Sequence, residues 1–200
     1  MSEIVVQKFG GTSVGTVDRI DSVAEIIKNA SKSNKIVVVV SAMGGETNRL
    51  VDLAKAFGDD PDKREFDALV STGETISSAL LTMALHSKGV KAKSFSASQI
   101  SMRTTSSYSK AKILDVDAKK ILDVVENDTI PIITGFQGVT EGGDVTTLGR
   151  GGSDTTAVAI AAQIAAIRCD IYTDVDGIFT TDPGVVPNAK KLDSITMEEM

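Results

Sequence analysis

Residues 36–47 read IVVVVSAMGGET: five β-branched apolar residues in a row, a serine, and then two adjacent glycines. A strand with one wet face alternates apolar and polar residues, whereas an unbroken apolar run must be covered on both faces. The run therefore predicts a central strand of a mainly parallel sheet, and Ser41 to Thr47 the turn that leaves its carboxyl end. Working outward, residues 3–9 form a second apolar strand ending in Gly10-Gly11. Residues 17–33 carry Val17, Ile20, Val23, Ala24, Ile26 and Ile27 at helical spacing. Further helices are expected over 47–57, 63–86, 116–126 and 154–167, the last apolar nearly all round and hence buried, and further strands over 90–95, 130–134 and 171–175. The Ser/Thr-rich stretch 96–112 reads as a loop or short hairpin, and the glycine-rich stretch 135–150 as irregular or hairpin. Strands alternating with helices specify an α/β protein, a three-layer αβα sandwich around a mainly parallel sheet. Thr196 is a candidate cap for a helix that the chain leaves after one turn, which points to a truncated domain.

The composition is that of an ordinary globular protein: 200 residues, 42% hydrophobic and 24% charged. A net charge of −6 repels nucleic acid and acidic membrane surfaces. The single cysteine, Cys169, rules out an internal disulfide and reads as a core residue. The first residues lack a basic segment leading into an apolar one, and no run approaches 18 apolar residues, so neither a secretory signal nor a membrane span is expected. A cytoplasmic location is the expectation.

Five segments carry candidate chemistry. Lys8-Phe9-Gly10-Gly11-Thr12-Ser13 follows the first strand; two glycines expose backbone N–H groups at close range, and Lys8 adds a full charge. The competing reading is a tight turn beside a solvated lysine. Thr147-Leu148-Gly149-Arg150-Gly151-Gly152-Ser153-Asp154 opens the last helix, with Ser153 a plausible N-cap. An arginine between glycines at a helix mouth suits bidentate binding of a carboxylate, or is an exposed arginine in a loop. If both loops cap the same end of a parallel sheet, two anion sites converge there, as phosphoryl transfer to an acid needs. Glu74, in Ser71-Thr72-Gly73-Glu74-Thr75, lies beside an apolar helix face; it either meets a ligand ammonium or is a solvated helix glutamate. Ser41 and Thr47 offer hydroxyls at the end of the central strand, or Thr47 merely caps a helix. The acids of Tyr172 to Pro183 lack the spacing of a calcium loop, and a cover over a nucleotide is the functional reading. No Gly-x-x-x-x-Gly-Lys-Ser/Thr segment and no protein-kinase signature set occurs.

Together, VVQKFGGTSV (5–14), VVVVSAMG (37–44), STGETISSALL (71–81), GFQGVTEGGDVTTLGRGGSDTTAVA (135–159) and IYTDVDGIFTTDP (171–183) followed by VPNAKKL resemble the aspartate kinases of the amino acid kinase family. The resemblance implies transfer of the ATP γ-phosphoryl group to the β-carboxylate of L-aspartate, with Mg²⁺ bridging the ATP phosphates and no metal ion held by protein ligands. It gives Lys8 and Asp154 catalytic roles. It assigns Lys8, Phe9, Gly10, Gly11, Thr173, Asp174, Phe179, Thr180, Thr181, Asp182, Pro183 and Gly184 to ATP. It assigns Ser41, Thr47, Glu74, Arg150, Gly151, Gly152 and Ser153 to aspartate. Gly184 departs from the pattern, since many relatives have an arginine there. The family's regulatory ACT domains are absent from residues 1–200, so weak or no turnover and no feedback inhibition are expected, with a homo-oligomer in the full-length form. Relatives using another carboxylate or a carbamate, or an inactive nucleotide-binding fragment, are the alternatives.

Overall fold

Side chains of β1 (Ile4–Phe9) point alternately to the two faces of a sheet, and both faces are apolar. The computed structural model describes residues 3–174, 177, 186 and 188–190. Val5 and Phe9 enter one core with Val38 and Val40 of β2 (Lys35–Val40), while Val6 enters the other with Val37 and Val39. All four valines from Val37 to Val40 are fully buried, each stabilising the fold by about 1.5–3 kcal/mol. Val39→Asp would place an unpaired carboxylate in the second core and break it.

The first core is closed by α1 (Val17–Ala30) and α4 (Thr72–Ser87) through Ile20, Val23, Ile27, Leu81 and Leu85. The second is closed by α5 (Ala118–Glu126) and α6 (Gly152–Gln163) through Ile121, Val125, Ala157 and Ile160. The three expected layers are present. With β3 (Ala92–Phe95), β6 (Ile130–Thr134) and β9 (Arg168–Tyr172), the main sheet has the order β3-β6-β2-β1-β9, every pair parallel. The chain leaves β1 toward β2 on one side and comes back to its other side as β9. That reversal beside β1 opens a crevice at the carboxyl ends of the strands. A smaller sheet, β5-β4-β7-β8, is built from β4 (Arg103–Thr104), β5 (Ile113–Asp115), β7 (Gln137–Val139) and β8 (Val145–Thr147).

Four expectations need correction. The single helix over 63–86 is two, α3 (Lys63–Val70) and α4, parted at Ser71. The Ser71 and Thr72 hydroxyls donate to the carbonyls of Ala68 and Leu69, and Gln137 Nε2 donates to the Ser71 carbonyl at 2.9 Å, so the helical ladder is diverted there. Lys63–Ser87 is long and apolar enough to cross a membrane by composition, with a mean hydropathy of 1.3; the break and the burial of Leu81 and Leu85 make it a core element. Ser153 does not cap α6: Gly151, in the left-handed region at φ 71°, takes that place and Ser153 falls in the first turn. Finally, α6 is not buried all round, since Val158 is 48% exposed, and the last strand is shifted to Arg168–Tyr172 with Ile171 45% exposed. β9 has no partner beyond it among the described residues. The candidate helix at Thr196 lies outside the described residues.

Candidate active site

The crevice holds a cleft of about 350 Å³. Its walls come from the turn after β1 (Gly11), from Ser41 to Gly45 leading into α2 (Glu46–Lys55), from Glu74 of α4, and from Gly149 to Asp154 entering α6. Lys8, on the same face of β1 as Val6, reaches the cleft from below. Lys8 is buried and its Nζ lies 2.7 Å from Asp154 Oδ1 in the first turn of α6. A buried ammonium needs such a partner. Asp154 is 46% exposed, so the pair ends at the cleft surface rather than sealed in the core.

Glu74 reaches the cleft because α4 starts against the turn after β2. A Cβ on Gly73 would stand 2.8 Å from the Ala42 Cβ. Only a bare glycine lets the helix come this close, and the Ala42 N–H then donates to Glu74 Oε1 at 2.9 Å. The other oxygen, Oε2, is buried without a partner among the described residues. Burial dominates over the Ala42 hydrogen bond and pushes the Glu74 carboxyl up to about 7. A half-satisfied buried carboxylate at a cleft wall is a receptor for a cation.

The rest of the lining is rich in unspent donors. α2 and α6 begin at the cleft with no side-chain cap, whereas α1, α3 and α5 are capped by Thr16, Asp62 and Asp117. Uncapped N-termini leave N–H groups and a partial positive charge facing the cavity. Gly11 closes the wall against the same turn: a Cβ there would meet the Ala42 carbonyl oxygen at 2.9 Å. The hydroxyls of Ser41, Thr47 and Ser153 line the cleft with no partner among the described residues. Arg150 is exposed on its rim and likewise makes no ion pair or hydrogen bond there. Anions are drawn to such a lining, with one cation position at Glu74.

The sequence profile described as the amino acid kinase family matches residues 3–200. The chain belongs to the amino acid kinase family. Among curated members it is 55% identical over 198 residues to an aspartate kinase of Pseudomonas putida, covering 98% of this chain and 48% of that protein. It is 54% identical to an aspartokinase of Geobacillus stearothermophilus, covering 98% and 49%. The chain thus spans about half the length of the curated relatives it matches. Among solved structures, E. coli aspartokinase III in complex with aspartate and ADP superposes with a TM-score of 0.86 at 32% identity, over 96% of this chain and 54% of that one.

Not every residue singled out from the sequence reaches the cleft. The Phe9 ring is fully buried, stacked on Tyr172 with centroids 4.5 Å apart, so its side chain is unavailable to a nucleotide. The Gly10 N–H is committed to the Tyr172 carbonyl at 3.0 Å, which leaves Gly11 as the glycine facing the cavity. Thr173 and Asp174 are exposed at the end of β9, one strand over from Lys8, and bond to each other. Phe179, Thr180, Thr181, Asp182, Pro183 and Gly184 lie outside the described residues. Cys169 is half-buried against the second core and burial pushes its thiol up, against a nucleophilic role. The residue reading missed Phe136, which lines the cleft at φ 67°. A bulky side chain in that region marks strain of about 1–3 kcal/mol, and only the flanking glycines hinted at it.

Proposed function

We propose that this chain forms the catalytic face of an aspartate kinase: it binds L-aspartate and ATP and promotes attack of the β-carboxylate on the γ-phosphorus, giving 4-phospho-L-aspartate and ADP. The observation that carries the reading is the pairing, in one cleft, of the unpartnered Glu74 oxygen with the unpartnered Arg150 guanidinium. Glu74 takes the substrate ammonium and Arg150 its α-carboxylate, with the Ser41, Thr47 and Ser153 hydroxyls and Gly151 and Gly152 fixing its pose. The side-chain carboxylate is left to react beside Lys8. Complexes of E. coli aspartokinase III with aspartate and ADP support the substrate pair.

The reaction joins two anions, so alignment and charge neutralisation dominate catalysis. Lys8 stabilises charge on the transferring phosphoryl group, and Asp154 holds its ammonium in place. Gly11 and the Ser153 amide in the first turn of α6 receive oxygens that gain charge at the transition state. Thr173 and Asp174, with the segment after them, serve the nucleotide. Mg²⁺ arriving with the nucleotide would supply further charge neutralisation beside Lys8.

A substrate panel tests the reading. The chain should bind aspartate in preference to N-acetylglutamate or carbamate, because only an amino acid uses both Glu74 and Arg150. Preference for acetylglutamate would transfer the assignment to another acid.

A further inference from the structure

Asp67 is the one fully buried carboxylate among the described residues, at 0% exposure, and it lies outside the cleft lining. It sits in α3, and no lysine or arginine among the described residues pairs with it. Its charge is met by four donors. Oδ2 accepts the backbone N–H groups of Ser109 at 2.8 Å and Thr147 at 2.7 Å. Oδ1 accepts their hydroxyls, at 3.1 and 2.9 Å. These donors lie 42 and 80 residues away in sequence, so one side chain ties α3 to two distant segments.

Both segments lead to Arg150. Thr147 ends β8 three residues before it. The next residue, Leu148, donates its N–H to the Phe136 carbonyl at 2.8 Å. Gly149 turns at φ 83° with the Ser109 carbonyl oxygen 3.3 Å from where its Cβ would be. The approach to Arg150 is therefore held by hydrogen bonds at Thr147, through Asp67, and at Leu148, and it passes close to the Ser109 backbone at Gly149. On its other side, α3 runs into the Ser71 break from which α4 carries Glu74, and Gln137 of the small sheet holds that break.

We propose that Asp67 is a positioning residue for amino acid recognition: it fixes the Arg150 loop relative to the helix pair that carries Glu74, and so sets the spacing between the carboxylate-binding and ammonium-binding ends of the site. The proposal rests on the aspartate reading above. Asp67 touches no substrate and acts through Thr147 and Ser109.

The test compares the full chain with Asp67→Ala, Asp67→Asn and Thr147→Val. It reads aspartate binding by calorimetry and amide hydrogen exchange residue by residue. In Asp67→Ala the Thr147 and Ser109 amides should exchange at least about tenfold faster while those of β2 keep their protection. Aspartate should bind about tenfold more weakly. Asp67→Asn should stay within about threefold of the parent, because its amide oxygen still accepts both backbone N–H groups and its NH₂ can donate to both hydroxyls. In an Arg150→Ala background, Asp67→Ala should add nothing further to the loss of affinity. If Asp67→Ala does not fold, Thr147→Val, which removes one hydroxyl donor, should weaken aspartate about threefold with β2 unchanged. Unchanged aspartate affinity in a variant whose Thr147 amide has been freed overturns the proposal. So does a loss that tracks faster exchange throughout β2, which marks a purely structural role. A parent chain that fails to bind aspartate overturns the functional reading and this proposal with it; a parent that binds beside an equally competent Asp67→Ala overturns the proposal alone.

Discussion

Glu74 couples the stability of the chain to its ligand through one proton. Its folded-state carboxyl titrates at about 7 against 4.5 for the free group, so the folded chain binds the proton more tightly than the unfolded one. The sign follows: stability falls as pH rises from about 4.5 to about 7, by on the order of 3 kcal/mol. Glu74→Gln should flatten that slope and melt higher than the parent at pH 8, as thermal melts at pH 5 and 8 will show. The same substitution should abolish aspartate binding, because a neutral amide cannot balance an ammonium. In the parent, aspartate affinity should climb as pH rises through about 7; an affinity flat across that range would exclude Glu74 as the ammonium partner. Lys8 makes a different prediction. Lys8→Met should lower phosphoryl transfer by about 10²–10³-fold while aspartate binding changes little, measured as ADP release alongside calorimetry. Lys8 was legible in the sequence because a strand followed by two glycines dictates where its charge emerges. The burial of Glu74 was not, because it depends on a helix packing against a turn 32 residues earlier, and helical spacing alone left that residue on the border of the apolar face.

At the scale of elements, the approach of α4 to the turn after β2 sets the site. Gly73→Ala places a methyl group 2.8 Å from the Ala42 Cβ, and overpacking of this kind costs about 1–3 kcal/mol. The helix must retreat, the Ala42–Glu74 hydrogen bond lengthens, and aspartate binding should weaken by about tenfold or more. A shift of the urea midpoint without loss of affinity would count against that coupling. The break that begins α4 could not be read from periodicity. Phe66, Leu69, Val70 and Ile76 keep helical spacing across Ser71, and a one-residue interruption leaves the phase nearly intact. Its cause, Gln137, is 66 residues further along the chain. The cap of α6 was misread for a related reason: Ser153 has the preferred side chain, but Gly151 has the backbone freedom that the turn demands.

For the molecule as a whole, the parallel sheet brings β1, β2 and β6 to one end and collects the glycine loops there. That convergence was legible from two apolar runs and their trailing glycines, since strands buried on both faces imply parallel neighbours with a shared carboxyl end. The small sheet was legible only as stretches that could be loops or hairpins, because strands of two or three residues carry no period. A ligand that bridges these walls should stabilise all of them. Aspartate at 100 times its Kd should add about 2.7 kcal/mol, seen as a rise in Tm of roughly 5–10 °C for a chain of this size. The glycine starts of α2 and α6 carry a longer consequence. Gly45 and Gly151 stand at φ 83° and 71°, where a side chain is strained, so neither position readily takes the serine or aspartate that would fill the space before its helix. Breeding this chain for heat tolerance alone would therefore find little to gain at these two seats, and they would stay open for a visitor's oxygens.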